Sequence, residues 1–247
     1  MALDIKVYAR KGWATCARTK EFLSKNGFEY IERDIQNDSG ALQELRDLGF
    51  RAVPVTVIGE TVINGFNPRQ LSNALSLSVD IEARTPRETL GILEKTLASV
   101  EKNLRLMPDD KLDWTAPDRD RPMREFGYHM FMFTEITMIG LDSGNYPPRS
   151  DLTGRSYNSF NDIADYGKGV LEAFKSKVSE LDLDKLAQIG PRGEDDRSVS
   201  ERLDLVAGHT VQHLRQLYFV LREFGIEPID PIEDSEFPTE YVLTILW

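Results

Sequence analysis

The residues best suited to chemistry are three histidines, His129, His209 and His213, and the chain holds no others. His209 and His213 stand four apart in Ala207-Gly208-His209-Thr210-Val211-Gln212-His213-Leu214-Arg215-Gln216-Leu217, a strongly helical pattern. Four residues make about one helical turn, so both imidazoles leave one face, roughly 6 Å apart along the axis. Such a pair chelates a metal ion when another helix supplies a third ligand. His129, in Phe126-Gly127-Tyr128-His129-Met130-Phe131, is the imidazole available for that role. Spacing alone leaves a plainer alternative open, because a histidine on an apolar helix face usually serves as a hydrogen-bonded core residue. Three neutral imidazoles on a divalent ion leave at least one open position, where water or thiol is acidified or a carbonyl polarised. Zinc is the first expectation, and nickel, iron, manganese and cobalt are compatible with the same ligands. Gln216, about one turn beyond His213, is placed to steady that ring. Tyr128 and Glu135 are lesser candidates that fit structural roles better.

The elements that must position these histidines are helical. Thr85-Pro86-Arg87-Glu88 supplies a capping box with proline at the first helical position. Leu90, Leu93, Leu97, Val100 and Leu104 follow at helical spacing, and Pro108 ends the region. A second helix is expected from about Asp120 to Ile139, with Phe126, His129, Met130 and Phe133 on one face. His129 then points into a bundle, where a buried imidazole needs a partner. Trp114, in the loop before this helix, is expected to cover the core. A long loop, Leu141 to Ser159, follows. A third helix is expected over Asn161–Leu181, and a last one from the capping box Ser198-Val199-Ser200-Glu201 to Phe224. Glu194-Asp195-Asp196 reads as a solvated acidic run.

These motifs resemble the DinB superfamily of four-helix bundles. There one histidine lies on the second helix, and an H-x-x-x-H pair on the last is followed by residues like Arg215-Gln216-Leu217. The run Asp113-Trp114-Thr115-Ala116-Pro117-Asp118-Arg119-Asp120 resembles that family's approach to helix two. The likeness covers about residues 85 to 228 and implies a metal site at His129, His209 and His213.

The first eighty residues differ in pattern. A strand at Ile5–Tyr8 leads through Ala9-Arg10-Lys11-Gly12-Trp13-Ala14-Thr15 to a helix opened by Cys16 and stopped at Asn26-Gly27, a usual C-terminal signal. Phe28 to Ile35 contains a second strand. A helix follows with Ser39 as its cap, then strands at Val53–Ile58 and Thr61–Ile63, then a helix over Pro68–Leu77. This βαβαββα order, with Val53-Pro54 before a strand and a glycine turn at Asn64-Gly65-Phe66-Asn67-Pro68, resembles a glutaredoxin over about residues 3 to 78. The resemblance implies a cis proline at Pro54 and a glutathione site formed by Lys11, Val53, Pro54, Gly65 and Phe66. A dithiol glutaredoxin carries C-x-x-C at the start of its first helix, where this chain has Trp13-Ala14-Thr15-Cys16. Counting back from Asn26-Gly27 puts Trp13 at the attacking position and Cys16 at the second. Cys16 is therefore either a monothiol redox residue or a small side chain that merely packs.

The totals limit the functions open to the chain. Its 247 residues allow one large domain or two small ones, here 1–80 and 85–247. The fold expected is α/β followed by all-α. A net charge of −11 disfavours a nucleic-acid partner. The apolar run from Tyr241 to Trp247 is too short to cross a bilayer and is expected to be buried, on this chain or against a second copy in a homodimer. The start of the chain lacks the pattern of a signal peptide. One cysteine excludes an internal disulfide framework, which fits a cytoplasmic protein.

DinB relatives include thiol S-transferases and thiol-dependent isomerases, and a glutaredoxin-like domain also handles thiols. The two resemblances together imply a metal-dependent enzyme joining a small-molecule thiol, such as glutathione, to an electrophile. A metal-dependent hydrolase and a non-catalytic thiol or redox sensor are the alternatives.

Overall fold

The computed structural model describes residues 4–77, 84–116, 121–144, 146–147, 157–188, 198–244 and 246. Its contacts divide the chain into two compact units, Met1–Glu82 with Leu243–Trp247, and Ala83–Val242. The last five residues, read in the sequence as the end of the helical domain, group with the first unit. The acidic run Glu194–Asp196 and much of the long loop fall outside the described residues.

The first unit is a four-stranded sheet with three helices. Its strands are β1 (Ile5–Ala9), β2 (Ile31–Asp34), β3 (Val55–Ile58) and β4 (Thr61–Asn64), in the order β2-β1-β3-β4. β1 runs parallel to β2 and antiparallel to β3, and β3 pairs antiparallel with β4. Val7, Tyr8 and Ala9 are all buried, as befits a central strand covered on both faces. Helix α1 (Ala14–Lys25) ends where Gly27 takes φ +79° and Phe28 N–H reaches back to Leu23 O at 3.0 Å. Asn26 adds a side-chain bond to Phe22 O at 2.8 Å. The cap of α2 (Ser39–Asp47) is Asp38 rather than Ser39, since Asp38 Oδ1 accepts from Gly40 and Ala41 N–H. Helix α3 (Pro68–Ala74) is capped by Asn67, whose Oδ1 accepts from Gln70 N–H at 3.0 Å.

The second unit is a bundle of four long helices, α4 (Pro86–Leu104), α5 (Met123–Ser143), α6 (Phe160–Glu180) and α8 (Val199–Glu223), with a short α7 (Leu183–Gln188). Both expected capping boxes form, at Thr85/Glu88 and Ser198/Glu201. α4 packs on α6 and α8, and α5 packs on the same two, so α4 and α5 lie on a diagonal. Each fully buried leucine of α4, such as Leu93 and Leu97, contributes about 1.5–3 kcal/mol by leaving water. α5 and α6 approach closely at Gly167, where a β-carbon would overlap the Phe131 ring. Beyond α8 the chain returns over α4. Asn103 exchanges hydrogen bonds with the backbone of Ile229, and Tyr218 Oη lies 2.6 Å from Ser99 Oγ and accepts from Ile232 N–H at 3.1 Å. None of the described helices is long and apolar enough to cross a membrane.

Candidate metal centre

The α5/α8 contact brings the three histidines together. His129 comes from the buried stripe of α5, and His209 and His213 from successive turns of α8. His209 Nε2 lies 3.2 Å from His129 Nε2 and 3.0 Å from His213 Nε2. One ligand atom from each of the three falls within 4.8 Å of the others. Zinc–nitrogen bonds of about 2.0–2.1 Å in tetrahedral geometry hold their nitrogens about 3.4 Å apart, near these separations. The donor set fits a divalent ion in type as well as in distance.

Gln216 fixes the tautomer that such a ligand needs. Its Oε1 lies 2.5 Å from His213 Nδ1, so Nδ1–H donates to it and the Nε2 lone pair faces the other two rings. The contact follows from spacing, because Gln216 is three residues beyond His213 on one helix face. Two aromatic side chains wall the centre. Phe133 lies edge-on to His209 and His129, at ring-centroid distances of 4.4 and 5.1 Å, and Phe126 meets His213 at 5.2 Å. Their low polarity strengthens electrostatic interactions inside the site. His129 and His213 are 6% and 7% exposed, and His209 is half-buried.

The other candidates of this unit fall elsewhere. Tyr128 packs against Tyr157 and Tyr166, and Glu135 accepts a hydrogen bond from Tyr166 Oη at 2.7 Å. Both belong to the α5/α6 contact. Trp114 meets Phe224 edge-on at 5.1 Å. Arg215 pairs through Nε and Nη2 with Asp234, at 2.8 and 2.9 Å, and donates through Nη1 to Gln212 Oε1 at 2.9 Å.

In the first unit, Val53–Pro54 is a cis peptide, and Gly65 N–H donates to Pro54 O at 2.7 Å. The glycine turn and the cis-proline step thus meet. Val53, Pro54 and Phe66 are buried, while Lys11 is exposed in the loop after β1. Cys16 sits in the first turn of α1 and is 1% exposed. Burial pushes its thiol up to about 11, outweighing the favourable backbone hydrogen bond at Arg10. At neutral pH only about one such thiol in ten thousand is a thiolate. Trp13 holds the N-cap of α1, with the Arg10 guanidinium 5.7 Å from its ring. One feature had no sequence signal beyond its residue type. Arg18 is 2% exposed, with its guanidinium 4.5 Å from the Phe66 ring centre.

A three-histidine centre in a four-helix bundle, preceded by a thioredoxin-like unit, defines the class of this protein. Residues 92–217 match the DinB superfamily, and the chain belongs to it. Residues 5–63 match glutaredoxin, which makes the first unit a glutaredoxin domain. Over 70 residues the chain is 30% identical to the glutaredoxin-like protein NrdH of Salmonella typhimurium and 29% identical to that of Escherichia coli. Each alignment covers 28% of this chain and 86% of the relative. Among solved structures, the thioredoxin-like protein BC3987 is 32% identical, covering 29% of this chain and 99% of its own, with a TM-score of 0.28. The NrdH-redoxin of Escherichia coli is 28% identical, covering 28% and 92%, with a TM-score of 0.28.

Proposed function

We propose that this chain is a metal-dependent enzyme of thiol chemistry, an S-transferase-like protein that joins a low-molecular-weight thiol such as glutathione to an electrophile. The observation that carries the reading is the convergence of all three histidines of the chain on one point between α5 and α8. A bound divalent ion, zinc first among the candidates, supplies Lewis acidity that lowers the pKa of a thiol or water it coordinates. The chain's own residues do the rest. Gln216 holds the His213 ring in one tautomer. Phe126 and Phe133 shield the centre from water on two sides, and His209 is the least buried of the three ligand candidates. The thiol yields its proton to solvent, its sulfur bonds to the electrophilic atom, and the leaving group departs with the electron pair.

In this reading the glutaredoxin domain binds and does not reduce. Val53, Pro54, Gly65 and Lys11 would take the thiol peptide, as the glutaredoxin resemblance implies. Trp13 stands where the attacking cysteine would be, and Cys16 is buried.

The test is elemental analysis of the purified chain, followed by thiol-consumption assays with an electrophile panel on the metal-loaded sample. Metal at one ion per chain together with thiol-dependent turnover supports the reading. Hydrolysis that needs no thiol replaces it with a hydrolase, and bound metal without turnover replaces it with a sensor.

A further inference from the structure

The surface of the first unit carries an open pocket of about 550 Å³ lined by Leu42, Arg46, Gly49, Phe50 and Arg51. The end of α2 builds it. Leu42 and Arg46 are four apart and share one helix face. Past the cap at Leu48, Gly49 takes φ +88°, a conformation that favours glycine. Phe50 N–H then reaches back to Leu45 O at 3.1 Å. This closure folds Phe50 and Arg51 against the last helical turn. Both arginines therefore border the same pocket, with Leu42 and Phe50 as its apolar wall.

The charges set this place apart. The chain has 41 acidic against 30 basic side chains, yet neither Arg46 nor Arg51 makes an ion pair among the described residues. The carboxylates nearest in sequence are committed elsewhere. Glu44 accepts from Arg33 at 2.7 and 3.1 Å and from Tyr8 Oη at 3.0 Å. Asp47 accepts from Gln43 Nε2 at 2.8 Å. Both guanidiniums are exposed beside the pocket, with no carboxylate paired to them among the described residues.

We propose that this pocket binds a small phosphate monoester with an aromatic body. Two guanidiniums match the charge of the dianion and the planar fork geometry that phosphate oxygens accept. Phe50 and Leu42 offer a face to the ring. The volume is that of a site for a molecule of this size. The pocket is separate from the histidine centre in residues and in chemistry, so neither reading depends on the other.

Fluorescence titration of the full-length chain with 1-naphthyl phosphate tests the proposal, with inorganic phosphate and 1-naphthol as the two halves of the probe. Saturable binding is expected, tighter than for either half. Arg46→Gln and Arg51→Gln should each weaken it by about fivefold or more. Phe50→Leu should weaken naphthyl phosphate and leave inorganic phosphate unchanged. Both arginines are exposed, so these variants should melt with the wild type. Absence of saturable binding overturns the proposal. So does binding that survives both arginine replacements, which would move the phosphate to the histidines.

Discussion

Among the described residues, the start of α1 and the middle of α8 hold the thiol and an imidazole pair of this chain, and the two places present them in opposite ways. At α1 the backbone scaffold is present and the thiol is out of reach. The Val53–Pro54 step receives Gly65 N–H, while Trp13 holds the helix N-cap and Cys16 is sealed in the core. At α8 the reactive groups persist together with their support, since His209, His213 and Gln216 stand on one helix and His129 faces them. A fold can keep its backbone geometry for packing reasons alone, so Pro54 and Gly65 are no sign of redox turnover. Three imidazoles whose Nε2 atoms converge in a bundle core match a metal-ligand set in type and spacing. They are the stronger sign of function.

The comparison breaks most readily at the metal centre. His213→Ala should take metal content from one ion per chain to background by elemental analysis. Unchanged content would move the site elsewhere. Gln216→Leu removes the hydrogen bond to His213 Nδ1 and should weaken metal affinity by about 10–100-fold in competition with a chelator. An unchanged affinity would reduce Gln216 to a packing residue. At α1, Trp13→Cys restores the C-x-x-C spacing. Disulfide reduction by the full-length variant should rise above the wild-type background, with metal content unaltered. If it does not rise, the domain has lost more than one cysteine. The smallest effect is expected from Cys16→Ser, which should leave metal content and thiol-dependent turnover within about twofold of wild type. Alkylation of native Cys16 at neutral pH should be correspondingly slow, because its thiol is held up near 11 by burial. Rapid alkylation, or turnover abolished by Cys16→Ser, would make α1 a second reactive centre.

Much of this was legible because it rests on local rules. The capping boxes at Thr85 and Ser198, the stop at Asn26-Gly27 and the i,i+4 histidines need only neighbours in sequence. The misses are also physical. Asp38 and Ser39 are both capping residues, and the choice lies in which oxygen reaches the Gly40 and Ala41 amides. α5 starts at Met123 and not near Asp120, because Pro122 keeps Arg121 out of the helical region and holds the N-cap itself. α7 is six residues long, too short for periodicity to register. The burial of Arg18 against Phe66 depends on tertiary packing between α1 and the glycine turn, which no local pattern reports.

The return of the chain over α4 bears on where this domain ends. Similarity to the superfamily covers residues 92–217. The folded unit is longer at both ends. Its first helix is capped at Thr85, and Tyr218, one residue past the match, ties Ser99 to Ile232. Asn103 holds Ile229 farther on, and Tyr241 is fully buried with its hydroxyl bonded to Asp204. A fragment cut at the boundaries of recognisable likeness would keep every histidine and lose the threads that sew the first helix to the last. Such a fragment should melt over a broad range instead of in one step, whereas residues 84–242 should unfold cooperatively. What descent keeps recognisable and what must be present to fold are, in this chain, different stretches of sequence.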